Sequence, residues 1–469
     1  MFCLILADII KKKMIKRIIV IGLLIATISG ISQEYSISGT ISGLENENLY
    51  LMQLMGEKRK IVDTAQTDIT GAFTFILPEK RESGMYVVIK GPGQAVELIY
   101  NNENIQFTTS GFTNDDGIQI ISSIENLIYY DYLGIKGINM YKLDVLNTLI
   151  KNYPPNDEFF QDALKQFKFL QNKLVKRIDE LIKNNPTTLA SRYIQNDRPV
   201  FVDLTLSNDD QNVMLKKHYF DNVSFSDTML IRSTILTSKV VGYLSLYQNN
   251  ANSQEELEDN MLIGVDSIFS YAQENQQVYE FLVDFLISGF ESIGFEKGLE
   301  HIANASSLDK FCENTERKQK LENKFELIKR LAIGQTAPDF VTTDIVGREV
   351  TLSKIDAERT LLVFWASWCS HCDDILPIIN SYYSNGINME VVSVSIDESK
   401  DDLMKSINET NYGWIQIAEL NGWNGPIIEE YGIVATPSIF VLDENKKIIG
   451  KPVGHNELEK ILAPNKTER

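Results

Sequence analysis

The chain has 469 residues, 43% of them hydrophobic and 10% aromatic, which is enough to bury more than one sizeable core. Its formal net charge of −19 argues against a nucleic-acid partner, whose phosphates call for basic surfaces, and reads as a solvated exterior.

The N-terminus predicts a signal peptide over residues 1–32. Lys11, Lys12, Lys13, Lys16 and Arg17 form a basic segment, and the apolar run Ile18 to Ile28 has secretory length. Gly30 and Ser32 are the small residues expected just before a cut ahead of Gln33. Met14 is an alternative start. The run is short for a membrane span, and an uncleaved anchor is the alternative reading.

Residues 33–115 predict an antiparallel β-sandwich. Tyr35, Ile37, Gly39 and Ile41 alternate with polar residues, as half-buried strands do. Leu49 to Leu54, Met85 to Lys90 and Val96 to Tyr100 read as further strands, and Asp68 to Phe75 as a turn feeding another. Asp63, Asp68, Asp115 and Asp116 are most simply turn residues.

Residues 116–332 predict a helical domain. Ala163, Leu164, Phe167, Leu170, Leu174, Ile178 and Leu181 mark one face of a long helix that Pro186 ends. Further helices are expected over about 229–247, 254–271, 277–289 and 313–332. His218 and His301 read as structural or surface residues. Cys312 reads as a buried thiol outside any relay.

Near residue 333 the pattern changes to alternating strands and helices, as an α/β domain over 333–469 requires. Within it, Trp365-Ala366-Ser367-Trp368-Cys369-Ser370-His371-Cys372 joins an apolar strand to a helix carrying Ile375, Leu376, Ile378, Ile379 and Tyr382. Cys369 would stand at the helix N-terminus, where free N–H groups and the helix dipole favour a thiolate, and the second thiol can reach back to close a disulfide. A zinc site needs a second pair of ligands, and Cys3, Cys312, His218, His301 and His455 are too scattered to supply one. Of the remaining readings, a redox pair is favoured over a structural disulfide.

These residues resemble the active site of thioredoxin-fold proteins. Gly334-Gln335-Thr336-Ala337-Pro338-Asp339-Phe340, with Asp344, Gly347 and Leu352, is similar to the entry hairpin of the TlpA/ResA-like branch. Gly432 to Asp443, which contains Ala435-Thr436-Pro437, resembles that branch's cis-proline loop and following strand. The β-rich segment is similar to the N-terminal domain often fused to such envelope proteins. The resemblance implies that Cys369 is the nucleophile and Cys372 the resolving thiol. It also implies that the Thr436–Pro437 bond is cis, that Thr436 and Pro437 bind substrate backbone, and that Trp368 supplies apolar contact. Trp365 reads more simply as core.

Two departures from the family stand out. Val363 and Ile375 occupy positions where family members carry an acid that assists proton transfer. His371, beside Ser370, is expected to tune the couple by stabilising the Cys369 thiolate. The expectation is a periplasmic or envelope thiol–disulfide oxidoreductase that needs no cofactor and no metal. Its partners would be cysteine-containing proteins and a membrane electron donor or acceptor of unknown identity. A partner-binding scaffold with a secondary redox site is the alternative. A peroxiredoxin is disfavoured because Ala366 and Leu362 replace the residues that its chemistry requires.

Overall fold

A computed structural model of the chain describes residues 34–78, 80–112, 117–248, 253–305, 315–385 and 388–462. The predicted signal peptide, Cys3, Asp115, Asp116 and Cys312 lie outside the described residues. The chain divides into two compact units between Val241 and Gly242. Among the described residues no helix is long and apolar enough to cross a membrane.

Among the described residues the first unit opens with eight strands: β1 (Tyr35–Ile41), β2 (Asn48–Met55), β3 (Lys58–Gln66), β4 (Ala72–Leu77), β5 (Gly84–Gly91), β6 (Gln94–Tyr100), β7 (Ile105–Thr109) and β8 (Gln119–Ser122). They form two four-stranded sheets, ordered β4-β1-β7-β8 and β3-β2-β5-β6. Alternate residues of both sheets, among them Ile37, Phe75, Phe107, Leu51, Val88 and Leu98, share one buried core. The expected all-antiparallel pairing is corrected at one place: β1 runs parallel to β7, with Ile37 opposite Ile105 and Gly39 opposite Phe107. The reason is connectivity, because strands so far apart in sequence are joined by a crossover rather than a hairpin. Gly39 permits the close approach, since a Cβ there would lie 2.6 Å from the Phe107 carbonyl oxygen.

Helices α1 (Ile124–Asn152), α2 (Glu158–Asn184), α3 (Leu189–Asn196) and α4 (Asn208–His218) follow, and α5 (Ile235–Ser245) straddles the division between units. The seven residues that mark the long helix in the sequence are the buried face of α2. The helix expected over 229–247 is instead a short 3-10 turn, Thr228–Arg232, followed by α5. Ser233 breaks it: its backbone is extended, and its hydroxyl donates to the Leu230 carbonyl while accepting from the Ile235 N–H.

The second unit holds helices α6 (Gln254–Ala272), α7 (Gln276–Ile293), α8 (Glu296–Ala305) and α9 (Thr315–Arg330) ahead of the α/β region. A hairpin of β9 (Val341–Thr343) and β10 (Glu349–Thr351) leads to β11 (Arg359–Trp365), helix α10 (Ser370–Ser384), β12 (Met389–Ser395), α11 (Lys400–Thr410) and β13 (Ile415–Ala418). A short helix α12 (Pro426–Glu430), strands β14 (Ser438–Asp443) and β15 (Ile448–Gly450), and helix α13 (His455–Leu462) complete it. The sheet order is β13-β12-β11-β14-β15. β11 is central, parallel to β12 and antiparallel to β14, and six of its seven residues are buried. This is the thioredoxin-like arrangement that the resemblance implied, and it puts the carboxyl end of β11, where the cysteines begin, at the middle of one sheet edge.

Candidate redox site

Cys369 is the N-cap of α10, and its extended backbone turns the side chain back over the first helical turn. Its Sγ accepts from the Cys372 N–H at 3.3 Å, and its thiol donates to the Thr436 carbonyl oxygen at 3.4 Å. Both thiols are free. The first is nearly buried and the second fully so. Burial, reinforced by a hydrogen bond that the Cys372 thiol donates to Cys369, pushes the Cys372 thiol up to about 12 from the usual 9.0. The Thr436–Pro437 bond is cis. Thus Cys369, Cys372, Thr436 and Pro437 come together from two elements that are 67 residues apart in sequence.

Ser370 and His371 lie on the solvent side of the first turn of α10. Trp368 is 62% exposed and meets Trp423, 41% exposed, edge to face with ring centroids 6.5 Å apart. Trp365 belongs to the buried core of the α/β region. Val363 and Ile375 are buried and apolar, while Asp373 and Asp374 face solvent. His218 pairs with Asp221, His301 with Asp266 and His455 with Glu459. Among the described residues no three histidines, cysteines or acids gather as a metal site.

The sequence reading missed Asp397. This buried carboxylate accepts from the Ser367 N–H at 3.0 Å, from the Ser367 hydroxyl at 2.5 Å and from the Ser395 hydroxyl at 2.6 Å. It therefore anchors the turn that presents Trp368 and Cys369. An acid directly after the apolar run of β12 was its only signal. Glu419, just after β13, is a second half-buried acid, in the stretch that leads to α12. It accepts from the Ile427 N–H at 3.1 Å, and burial holds its carboxyl above the usual range.

The family described as AhpC/TSA matches residues 333–451, and the domain of unknown function DUF4369 matches residues 35–129. The thiol-disulfide oxidoreductase ResA of Geobacillus kaustophilus is 30% identical over 145 residues, 28% of this chain and 77% of that protein. ResA of Bacillus cereus is 26% identical over 137 residues, 29% of this chain and 79% of that protein. Among solved structures, the thioredoxin domain of a thiol-disulfide oxidoreductase from Bacteroides vulgatus is 28% identical over 28% of this chain and 96% of its own length, with a TM-score of 0.27.

Proposed function

This chain belongs to the thiol–disulfide oxidoreductases related to ResA, and from that membership we propose that Cys369-Ser370-His371-Cys372 exchanges disulfides with cysteine-containing proteins in the cell envelope. The observation that carries the reading is the pairing of an N-cap thiol, facing the Thr436 carbonyl, with a fully buried second thiol one turn on.

The Cys369 thiolate attacks one sulfur of a substrate disulfide. A new S–S bond forms, the substrate bond breaks, and its other sulfur leaves as a thiolate. Burial keeps Cys372 protonated and idle until then. Cys372 next loses its proton and attacks the Cys369 sulfur, which releases the second substrate thiol. The substrate gains two electrons and the pair becomes a disulfide, which a membrane electron donor reduces again. Run backwards, the same steps oxidise a substrate dithiol. His371 and Ser370 tune the pair, and Trp368, Thr436 and Pro437 contact the substrate. The AhpC/TSA match does not favour peroxide chemistry, because Leu362 and Ala366 are buried apolar residues where a peroxidatic site needs other groups. We read the two N-terminal sheets as a sandwich outside this chemistry.

The test is dithiothreitol-driven reduction of insulin by the full chain. Wild type is expected to turn over, and Cys369→Ser to fall to the uncatalysed rate. A Cys369→Ser variant as active as wild type would sink the reading.

A further inference from the structure

A cavity of about 870 Å³ lies against the redox site, within the size range of roughly 300–1,000 Å³ in which ligand sites bury most of what they hold. One wall comes from the redox site, with His371 and Pro437. The other comes from helices that precede the α/β region: Leu299 of α8, Leu327 and Ile328 of α9, and Leu331 just beyond it.

This second wall is fastened down. Arg330 donates to the Glu430 carbonyl at 2.6 Å and pairs with its carboxylate at 2.8 Å. Leu327 packs onto Gly432, where a Cβ would come within 2.2 Å of its Cδ2. Lys324 of α9 bridges to Glu291 of α7 at 3.1 Å.

The charges of the cavity are largely matched from within. Among the described residues, Lys451 is the one lysine or arginine lining it; it is held by Glu296 at 2.5 Å, and Glu291 is taken by Lys324. Among the described residues an anionic small thiol such as glutathione therefore meets no unpaired lysine or arginine there. Meanwhile one apolar lining residue stands open to solvent: Val434, two residues before Thr436, is 82% exposed. The lining itself is mostly apolar, with Leu299, Leu327, Ile328, Ile375 and Ile439 among it, which suits the apolar side chains of a partner.

We propose that this groove, walled by α7, α8 and α9, seats an extended apolar segment of the protein substrate that flanks its cysteine, so that these helices set substrate preference. The inference rests on the disulfide-exchange reading.

The test uses the full chain, reduced again after each turnover by dithiothreitol whose direct reaction is subtracted, and two short peptides, each with one cysteine carrying a thionitrobenzoate group in disulfide linkage. One peptide has Leu and Phe beside the cysteine and the other has Asp and Ser. Wild type is expected to show a kcat/KM at least about tenfold higher for the apolar peptide, less than full burial of one leucine can yield. Ser292, an exposed residue of α7 that lines the groove, provides the probe of the helical wall. Ser292→Arg should bring the ratio of the two peptides to within about twofold, and Ser292→Ala should keep it. Equal kcat/KM for both peptides in an active wild type overturns the docking inference and leaves disulfide exchange standing. A ratio that Ser292→Arg does not move overturns the part assigned to the helices. Failure to turn over either peptide overturns the exchange reading beneath it.

Discussion

Asp397 and Ser367 tie together the ends of two neighbouring parallel strands immediately before the cysteines. The buried carboxylate takes both the backbone N–H and the hydroxyl of Ser367, at 3.0 and 2.5 Å, and the Ser395 hydroxyl at 2.6 Å. In the same place the Ile396 N–H donates to the Trp365 carbonyl at 2.9 Å, so the turn is held from both sides.

Asp397→Ala should lower the stability of the α/β region by about 2–4 kcal/mol, because it strands three donors in a buried site. Denaturant unfolding followed by tryptophan fluorescence measures this. Insulin turnover should fall as well, since Ser367 stands two residues from the nucleophile. A variant within about 0.5 kcal/mol of wild type would show that the carboxylate does not organise the turn.

The two thiols should differ sharply in reactivity. Burial pushes the Cys372 thiol up to about 12, against 9.0 for an ordinary thiol, and the side chain is fully enclosed. In the reduced protein at pH 8, iodoacetamide should modify Cys369 at least about tenfold faster than Cys372, as peptide mapping would reveal, and the difference should vanish in denaturant. The folded chain holds the Cys372 proton more tightly than the unfolded one, so the contribution to stability is full below pH 9.0 and declines as pH rises towards about 12.

Gly432→Ala tests the contact between α9 and the loop that carries Thr436. The position has φ of +59°, and an added Cβ meets the Leu327 side chain at 2.2 Å. Left-handed backbone and overpacking together should cost about 2–4 kcal/mol. Leu327→Ala made in addition should recover part of the loss, and chemical denaturation of the single and double variants separates the two terms. A double variant less stable than the sum of the single changes would contradict the contact.

His371 is expected to make the Cys369–Cys372 couple more oxidising than proline would at the same position. A histidine beside the pair favours the thiolate of the reduced form by charge or hydrogen bond, and whatever stabilises the reduced form raises the potential. Proline is tolerated in a first helical turn, so His371→Pro should keep the fold. A glutathione titration should give a potential more negative by roughly 30 mV for each ~1.4 kcal/mol lost. An equal or less negative value means that His371 does not tune the site.

Local pattern carried far in this chain. The apolar run ending at Trp365, the two cysteines and the periodic residues from Ile375 onward determine a strand, an N-cap thiol and a helix, because those features depend on neighbours within a turn or two of backbone. The buried face of α2 was legible for the same reason. In α1 the buried residues Ile128, Tyr129, Tyr132, Leu143 and Ile150 share one face at helical spacing, but none falls between Tyr132 and Leu143, and exposed Leu127, Ile138 and Tyr141 blur the apolar pattern, so its 29-residue length left little trace. Tertiary structure alone decided the rest. It brought Asp397 to Ser367, Trp423 to Trp368 and Leu327 to Gly432, and it set β1 parallel to β7. These contacts join residues tens of positions apart, and no periodicity in a single segment encodes which distant side chain will close a buried hydrogen bond or fill the wall of a groove. That is settled only when the sheet order places β12 beside β11 and the helices before residue 333 pack against the loop that faces Cys369.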